Sequence, residues 1–384
     1  MALHFSKKEF KQRLERLTDA MAEANLDGML LFAQESMFWL TGYDTFGYAF
    51  FQSLIVTREG EMVLLTRAPD LRQARHTSIL DNIVIWKDEG GADPTVDLAR
   101  VVNEAGLSGK HIGVEYDTAG LTGKYALALN ARLAGDMKLV DASDLVTHLR
   151  MVKSDAELDH VRVAGKLSDG ALDAAIASTK AGAFEGDILA AMHNEIFRQG
   201  GDYAGNEFII GSAEDALLCR YKSGRRNLSD NDQLTLEWSG AWAHYHAAMM
   251  RTLIVGKPSK RHEQLHEACA AALTGVKRAM VSGNTFSDMF HAHADAIDAA
   301  GLSEHRLNAC GYSLGAVFTP CWMDSPMIYS GNNTKIVPNM VIFGHMIIFD
   351  SDSGTAMTIG QSYITTDDKP EDLSRHDIDL IVCQ

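Results

Sequence analysis

The sequence predicts an α/β domain over residues 1–150, followed by an α+β domain over residues 154–384. Three observations predict it. Strand-like runs alternate with amphipathic helical patterns through the first part; Ser154 and Glu157 form a capping box that opens a long helix; and from there a helix pair followed by a hairpin is read twice, as in an internally duplicated domain. With 384 residues, 46% of them hydrophobic, the chain is long enough for two cores.

The elements follow in order. Phe10, Leu14, Leu17 and Met21 recur at helical spacing, and "GMLLFAQ" reads as the first buried strand. "SLIVTREGEMVLLT" reads as two strands around a turn at Arg58-Glu59-Gly60, "NIVIW" and "HIGVEYD" as further strands, and "PTVDLARVVNEAGL" and "LTGKYALALNARLA" as helices. After the capping box, a second helix carries Ile188, Leu189, Met192 and Ile196 and is stopped by Gly200-Gly201. Two more helices lie around "EQLHEACAAALTGVKRAM" and "TFSDMFHAHADAIDAAG". Strand-like stretches are "EFIIG", "QLTLEWSGAWAHYHAAMMRTLIVG", "MVIFGHMIIFD" and "QSYITT".

Composition excludes several function classes. With 35 Lys and Arg against 51 Asp and Glu, a formal charge of −16, the surface repels phosphate backbones and anionic lipid, so neither nucleic acid nor membrane is an expected partner. Five cysteines, odd in number and without C-x-x-C spacing, suit a reducing compartment, and no apolar run reaches the length of a membrane span. The expectation is a soluble cytoplasmic protein.

"GYSLG" at residues 311–315 fits the G-x-S-x-G pattern of a nucleophile elbow, with Asp324 and His345 following in hydrolase order. The pattern needs a buried strand before Ser313 and a helix after it. Upstream "GLSEHRLNAC" is polar, and downstream Pro320 and Pro326 oppose a helix, so Ser313 is not expected to be a nucleophile.

Taken together, "LRMVKSDAELDHVR", "LTLEWSGAWAHYHAAMMRTLIVG", "GYSLG" and "NMVIFGHMIIFD" resemble the creatinase and aminopeptidase P family with its pita-bread catalytic domain, and "FWLTGYDTFGYAFFQSLIV" at 38–56 resembles that family's N-terminal domain. The resemblance implies a creatinase-like N-terminal α/β domain at 1–150 and a pita-bread catalytic domain at 154–384. Peptidases of the family hold two metal ions. At their five ligand positions this chain has Glu237, Ala248, Tyr312, His345 and Gly360. None keeps the family's residue type, and Ala248 and Gly360 offer no donor, so the expected cofactor set is none and "GYSLG" reads as a degenerate metal-binding turn centred on Tyr312.

Creatinase itself works without metal, but its histidine falls on Arg220 and its glutamates on Met250 and His345. The ectoine hydrolase branch is the closer pattern, with Glu237, Tyr245, His246, Arg251, Tyr312 and Trp322 in matching places. It lacks a match at Arg220 and has no histidine at 345.

Glu237 beside Trp238 reads as a proton-transfer carboxylate or as a structural one bonded to backbone or Arg251. His345 in an apolar strand reads as general base or acid. His244 and His246 alternate along one strand; strict period two sets His246 opposite Glu237 unless a bulge intervenes. Tyr312 reads as an oxyanion donor or as cavity filling. Arg220 reads as the anchor of a substrate carboxylate, with Tyr221 beside it, or as part of a basic surface loop. Trp322, Asp324, Phe46 and Tyr48 are candidate walls of the pocket, and the resemblance implies a homodimer whose N-terminal aromatic segment completes the partner's site.

The expected function is metal-independent hydrolysis of a C–N bond (amidine, cyclic amide or amide) in a small carboxylate-bearing compound of ectoine or creatine kind. The alternatives are a catalytically silent ligand-binding protein and a lyase acting on a small zwitterion.

Overall fold

A computed structural model describes residues 3–220 and 224–384. The chain divides into two compact units, Met1–Arg150 and Met151–Gln384. Among the described residues no helix is long and apolar enough to cross a membrane.

The first unit runs α1 (Lys7–Glu23), β1 (Gly28–Leu31), α2 (Gln34–Thr41), β2 (Ser53–Thr57), β3 (Met62–Arg67), α3 (Leu71–Thr77), β4 (Ile83–Trp86), α4 (Pro94–Glu104), β5 (His111–Val114), α5 (Gly123–Leu133), β6 (Lys138–Asp141) and α6 (Ser143–Met151). The sheet order is β4-β3-β2-β1-β5-β6, with β1 antiparallel to β2 and parallel to β5. Successive strand residues point to opposite faces, so the sheet feeds two cores. Leu30 and Ile55 pack with Leu98 and Val101 of α4 and Leu129 of α5. Met29, Leu31, Leu54 and Val56 pack with Leu17 and Met21 of α1 and Met37, Trp39 and Leu40 of α2.

The second unit opens with α7 (Asp155–Ser178), capped by the predicted box: the Ser154 hydroxyl accepts the Glu157 N–H while Glu157 accepts the Ser154 N–H at 2.9 Å. Then come α8 (Glu185–Arg198), β7 (Ile209–Ser212), β8 (Asp232–Trp242), β9 (Tyr245–Val255), α9 (Lys260–Ala279), α10 (Phe286–Ala299), β10 (Ala309–Ser313), β11 (Asp324–Tyr329), β12 (Val341–Asp350), β13 (Thr355–Ile364), β14 (Glu371–Asp372) and β15 (Ile381–Cys383). The main path of the sheet is β11-β10-β12-β13-β9-β8-β7.

Each half of this sheet backs onto a helix pair, and strand alternation then decides what the other face carries. On β8, Trp238 Nε1 donates to the Ser168 carbonyl of α7, and a Cβ on Gly240 would lie 2.2 Å from the Ala164 carbonyl oxygen, so the even-numbered residues face the helix. Glu237 faces the other way. On β12, Ile342, Met346 and Ile348 join the core built by α9 and α10, which turns Phe343, His345 and Ile347 to the face away from it.

Two expectations are corrected here. The stretch 233–256 is a hairpin, not one strand: Ala243 and His244, with φ of 49° and 64°, make the turn between β8 and β9. His244 is therefore a turn residue stacked on Phe318, and parity restarts at Tyr245. "GYSLG" is not a turn centred on Tyr312, because Gly311, Tyr312 and Ser313 lie in β10, paired with Gly344, Phe343 and Ile342. Gly311 is required by close approach, since a Cβ there would meet the Phe343 carbonyl oxygen at 2.2 Å. Ser313 is fully buried and donates to the Val341 carbonyl, with no helix after it, which is not the geometry of a nucleophile.

Candidate active site

Strand register aligns one residue from each of five strands on the concave face. Ile209 pairs with Glu237, Glu237 with Met250, Met250 with Gly360, and Gly360 with His345. Glu237 and His345 are thus three strands apart, roughly 14 Å along the backbone at the usual interstrand spacing. They stand on opposite sides of a common site. Tyr312, paired with Phe343, shares their face, and its ring centroid lies 5.6 Å from that of His345.

Over this row lies a cleft of about 190 Å³, lined by Asn206, Arg220, Glu237, Tyr312, Trp322 and His345 together with Cys219, Cys321 and apolar residues including Ile209, Met327 and Ile347. A hydrogen-bonded chain runs through it. Trp322 Nε1 donates to the Tyr312 hydroxyl at 2.8 Å, and that hydroxyl donates to Glu237 Oε1 at 3.3 Å. Asn206 Oδ1 accepts the Trp322 N–H at 3.1 Å and holds the tryptophan segment in place.

Burial sets the charge states. The Glu237 carboxyl is pushed up to about 7 by loss of water, against the lowering effects of the Tyr312 hydrogen bond and the Arg220 cation. His345 is lowered to about 4, chiefly by burial, with smaller contributions from the ionised form of His293 and from Arg220, so it is neutral at pH 7. Among the described residues its buried Nδ1 has no hydrogen-bond partner. The Tyr312 hydroxyl is raised well above its ordinary range by burial and by the Glu237 charge, and so keeps its proton. At neutral pH the cleft combines a carboxyl raised towards neutrality, a protonated phenol, an uncharged imidazole and a guanidinium.

Of the residues singled out in the sequence, Glu237, Tyr312, Trp322, His345 and Arg220 are brought together. Four are not. Because the hairpin resets parity, His246 shares the Glu237 face, as its pairing with Ala241 shows, yet it lies outside the cleft. Its Nε2 accepts the Gly205 N–H at 2.9 Å and its Nδ1 faces the Gly315 carbonyl at 3.4 Å, so it ties two loops together. Asp324 opens β11 and packs against Gly315 rather than lining the cleft. Phe46, 77% exposed, and Tyr48 belong to a short 3₁₀ turn of the first unit. Tyr221 lies outside the described residues. Asn206, Cys219 and Cys321 were not anticipated: Asn206 sits in a loop and the cysteines in polar or Pro-containing stretches, without periodicity to place them.

Comparison with known proteins follows this geometry. Residues 159–367 match the model of metallopeptidase family M24, and residues 13–152 match the creatinase/prolidase N-terminal domain. An ectoine hydrolase of Halomonas elongata is 24% identical over 393 residues, covering 97% of each chain. An uncharacterised hydrolase/peptidase of Sinorhizobium fredii is 26% identical over 349 residues, covering 88% of this chain and 87% of the relative. Among solved structures, a prolidase from Thermococcus sibiricus superposes with TM-score 0.88 at 19% identity over 98% and 100% of the two chains. The dipeptidase PepE of Mycobacterium ulcerans gives 0.86 at 22% over 98% and 99%.

The residues present do not fit the metal pair that a metallopeptidase implies. Among the described residues no group of three or more His, Cys, Asp or Glu side chains is arranged to hold a metal ion. Phe343 takes up the space above Gly360: a Cβ there would lie 2.6 Å from Phe343 Cζ and 2.9 Å from Met250 Cβ. A glutamate could not enter without displacing that ring. Matched over more than half its length, with a pita-bread unit whose ligand positions carry other chemistry, this chain belongs to metallopeptidase family M24 and carries the creatinase/prolidase N-terminal domain.

Proposed function

We propose that the chain is a metal-independent hydrolase that opens a C–N bond, of an amidine, cyclic amide or amide, in a small carboxylate-bearing nitrogenous compound of ectoine or creatine kind. The observation that carries this reading is the Trp322–Tyr312–Glu237 hydrogen-bonded chain facing the cleft beside Arg220. The ectoine hydrolase relative, aligned over nearly the whole of both chains, supports the substrate class.

Glu237 is the general base. With its carboxyl held near 7, it takes a proton from water at neutral pH and can return it to the departing nitrogen. His345, held near 4, is too weak a base to compete and stays an uncharged polar wall. The water oxygen bonds to the substrate carbon, and Tyr312, which keeps its proton, turns that proton from Glu237, protonated in the same step, to the electron-rich atom formed there. Breaking of the C–N bond then releases the nitrogen with the proton from Glu237. Arg220 grips the substrate carboxylate with its planar fork.

The same reading includes a homodimer in which the exposed aromatic segment around Phe46 and Tyr48 completes the partner's cleft, and a cytoplasmic setting, which suits five free thiols. The test is a mass-spectrometric turnover screen over ectoine, creatine and related zwitterions. Arg220→Ala should raise KM about 10- to 100-fold on the substrate found, with a smaller change in kcat, the worth of a charge-assisted hydrogen bond. Absence of any hydrolysis product, or an unchanged KM in the variant, overturns the assignment.

A further inference from the structure

Five free cysteines are distributed unevenly in this fold. Cys269, Cys310 and Cys383 are buried, and burial pushes each thiol above its ordinary range, which leaves little of the reactive thiolate. Cys219 and Cys321 are part-exposed, and both line the same cleft. They come from separate segments, Cys219 next to Arg220 and Cys321 next to Trp322. The Cys321 sulfur accepts the Met323 N–H at 3.4 Å, and Cys321 shares the cleft lining with Tyr312 and Trp322.

We propose that Cys321 and Cys219 make the cleft a site of covalent thiol modification by peroxides and other soft electrophiles, and that a single adduct closes it. Thiol chemistry at the three other cysteines is suppressed by burial, so a thiol-directed reagent is led to this one place. With hydrogen peroxide, the thiolate sulfur attacks one peroxide oxygen: an S–O bond forms and the O–O bond breaks. Sulfur loses two electrons to become the sulfenic acid, and the peroxide is reduced to water, which carries off the thiol proton. With a maleimide, an S–C bond forms and the thiol proton adds to the neighbouring carbon of the former double bond. A group on Cys321 stands beside the Trp322–Tyr312 hydrogen bond, so it occupies the space a ligand needs.

The experiment is a time course of the native full chain with N-ethylmaleimide, read peptide by peptide by mass spectrometry. Adducts should form on Cys321 or Cys219 at least about 10-fold faster than on the three buried cysteines. Because both thiols share one cleft of about 190 Å³, the bulky reagent should stop at one adduct per chain, whereas the small reagent methyl methanethiosulfonate should reach both. Cys321→Ser should move the single maleimide to Cys219, and Cys219→Ser should confine it to Cys321; either variant suffices if the other does not fold. Comparable rates at the buried cysteines, or two maleimides entering independently, would overturn the proposal. The readout is adduct occupancy, not turnover, so failure of the hydrolase reading leaves this result standing and the reverse holds as well.

Discussion

Glu237→Gln should lower turnover by about two to four orders of magnitude while the protein folds as before, the range expected for loss of a positioned general base. The fold survives because the amide oxygen still accepts the Tyr312 hydroxyl in place of Glu237 Oε1. The pH dependence gives a second readout. A carboxyl raised to about 7 in the folded protein binds its proton more tightly there than in the unfolded chain, where it titrates near 4.3. Ionisation therefore costs the folded state, and the contribution of this group to stability falls as pH rises from that unfolded value to about 7, then levels off. Glutamine has no such dependence. The difference in Tm between variant and wild type should shift in favour of the variant between pH 5 and pH 8.5. A parallel pair of Tm curves would place the Glu237 pKa in the ordinary carboxylate range and remove its claim to be the base.

Tyr312→Phe should cost about 100- to 1000-fold in kcat, as for removal of one oxyanion donor, and in addition about 1–3 kcal/mol of stability. The stability term arises because Trp322 Nε1–H, on a side chain only 1% exposed, loses the hydroxyl that accepts it and is left buried and unpaired. Chemical denaturation at pH 7 measures one effect and single-turnover kinetics the other. Loss of stability with kcat unchanged would make Tyr312 a cavity-filling residue whose hydroxyl serves only the tryptophan.

Much of this architecture could be read from the residues. The strands of the first hairpin stand out as apolar runs around a Gly-containing turn, the capping box by its Ser154-to-Glu157 spacing, and the four amphipathic helices of the second unit by one buried face. What was missed lacks that asymmetry. Helix α2, "QESMFWLT", is buried nearly all round, so it shows no helical period. Strands β10 and β11 are short and broken by bulges, and β11 contains Pro326. Strand β13 begins at Thr355, six residues before the predicted "QSYITT", in "TAMTIG", where Gly360 and small polar residues hide it.

The site was half visible for a related reason. His345 stands out as a polar residue in an apolar strand, and Glu237 and Tyr312 through the family's motif spacing. The parity count for His246 ran through an unrecognised hairpin turn, which restarts the alternation at Tyr245 and returns His246 to the Glu237 face; that it lies beyond the cleft is decided by its loop partners Gly205 and Gly315. Asn206, Cys219 and Cys321 reach the cleft from loops, and only the fold brings them together.

The central claim, hydrolysis without metal at this rebuilt pita-bread cleft, is tested most directly by assaying turnover of an ectoine- or creatine-like substrate alongside elemental analysis of the same preparation, with and without chelator. The account predicts far less than one metal ion per chain and a rate that chelator leaves unchanged. Stoichiometric metal, with activity lost to chelator and restored by adding the ion back, would contradict it.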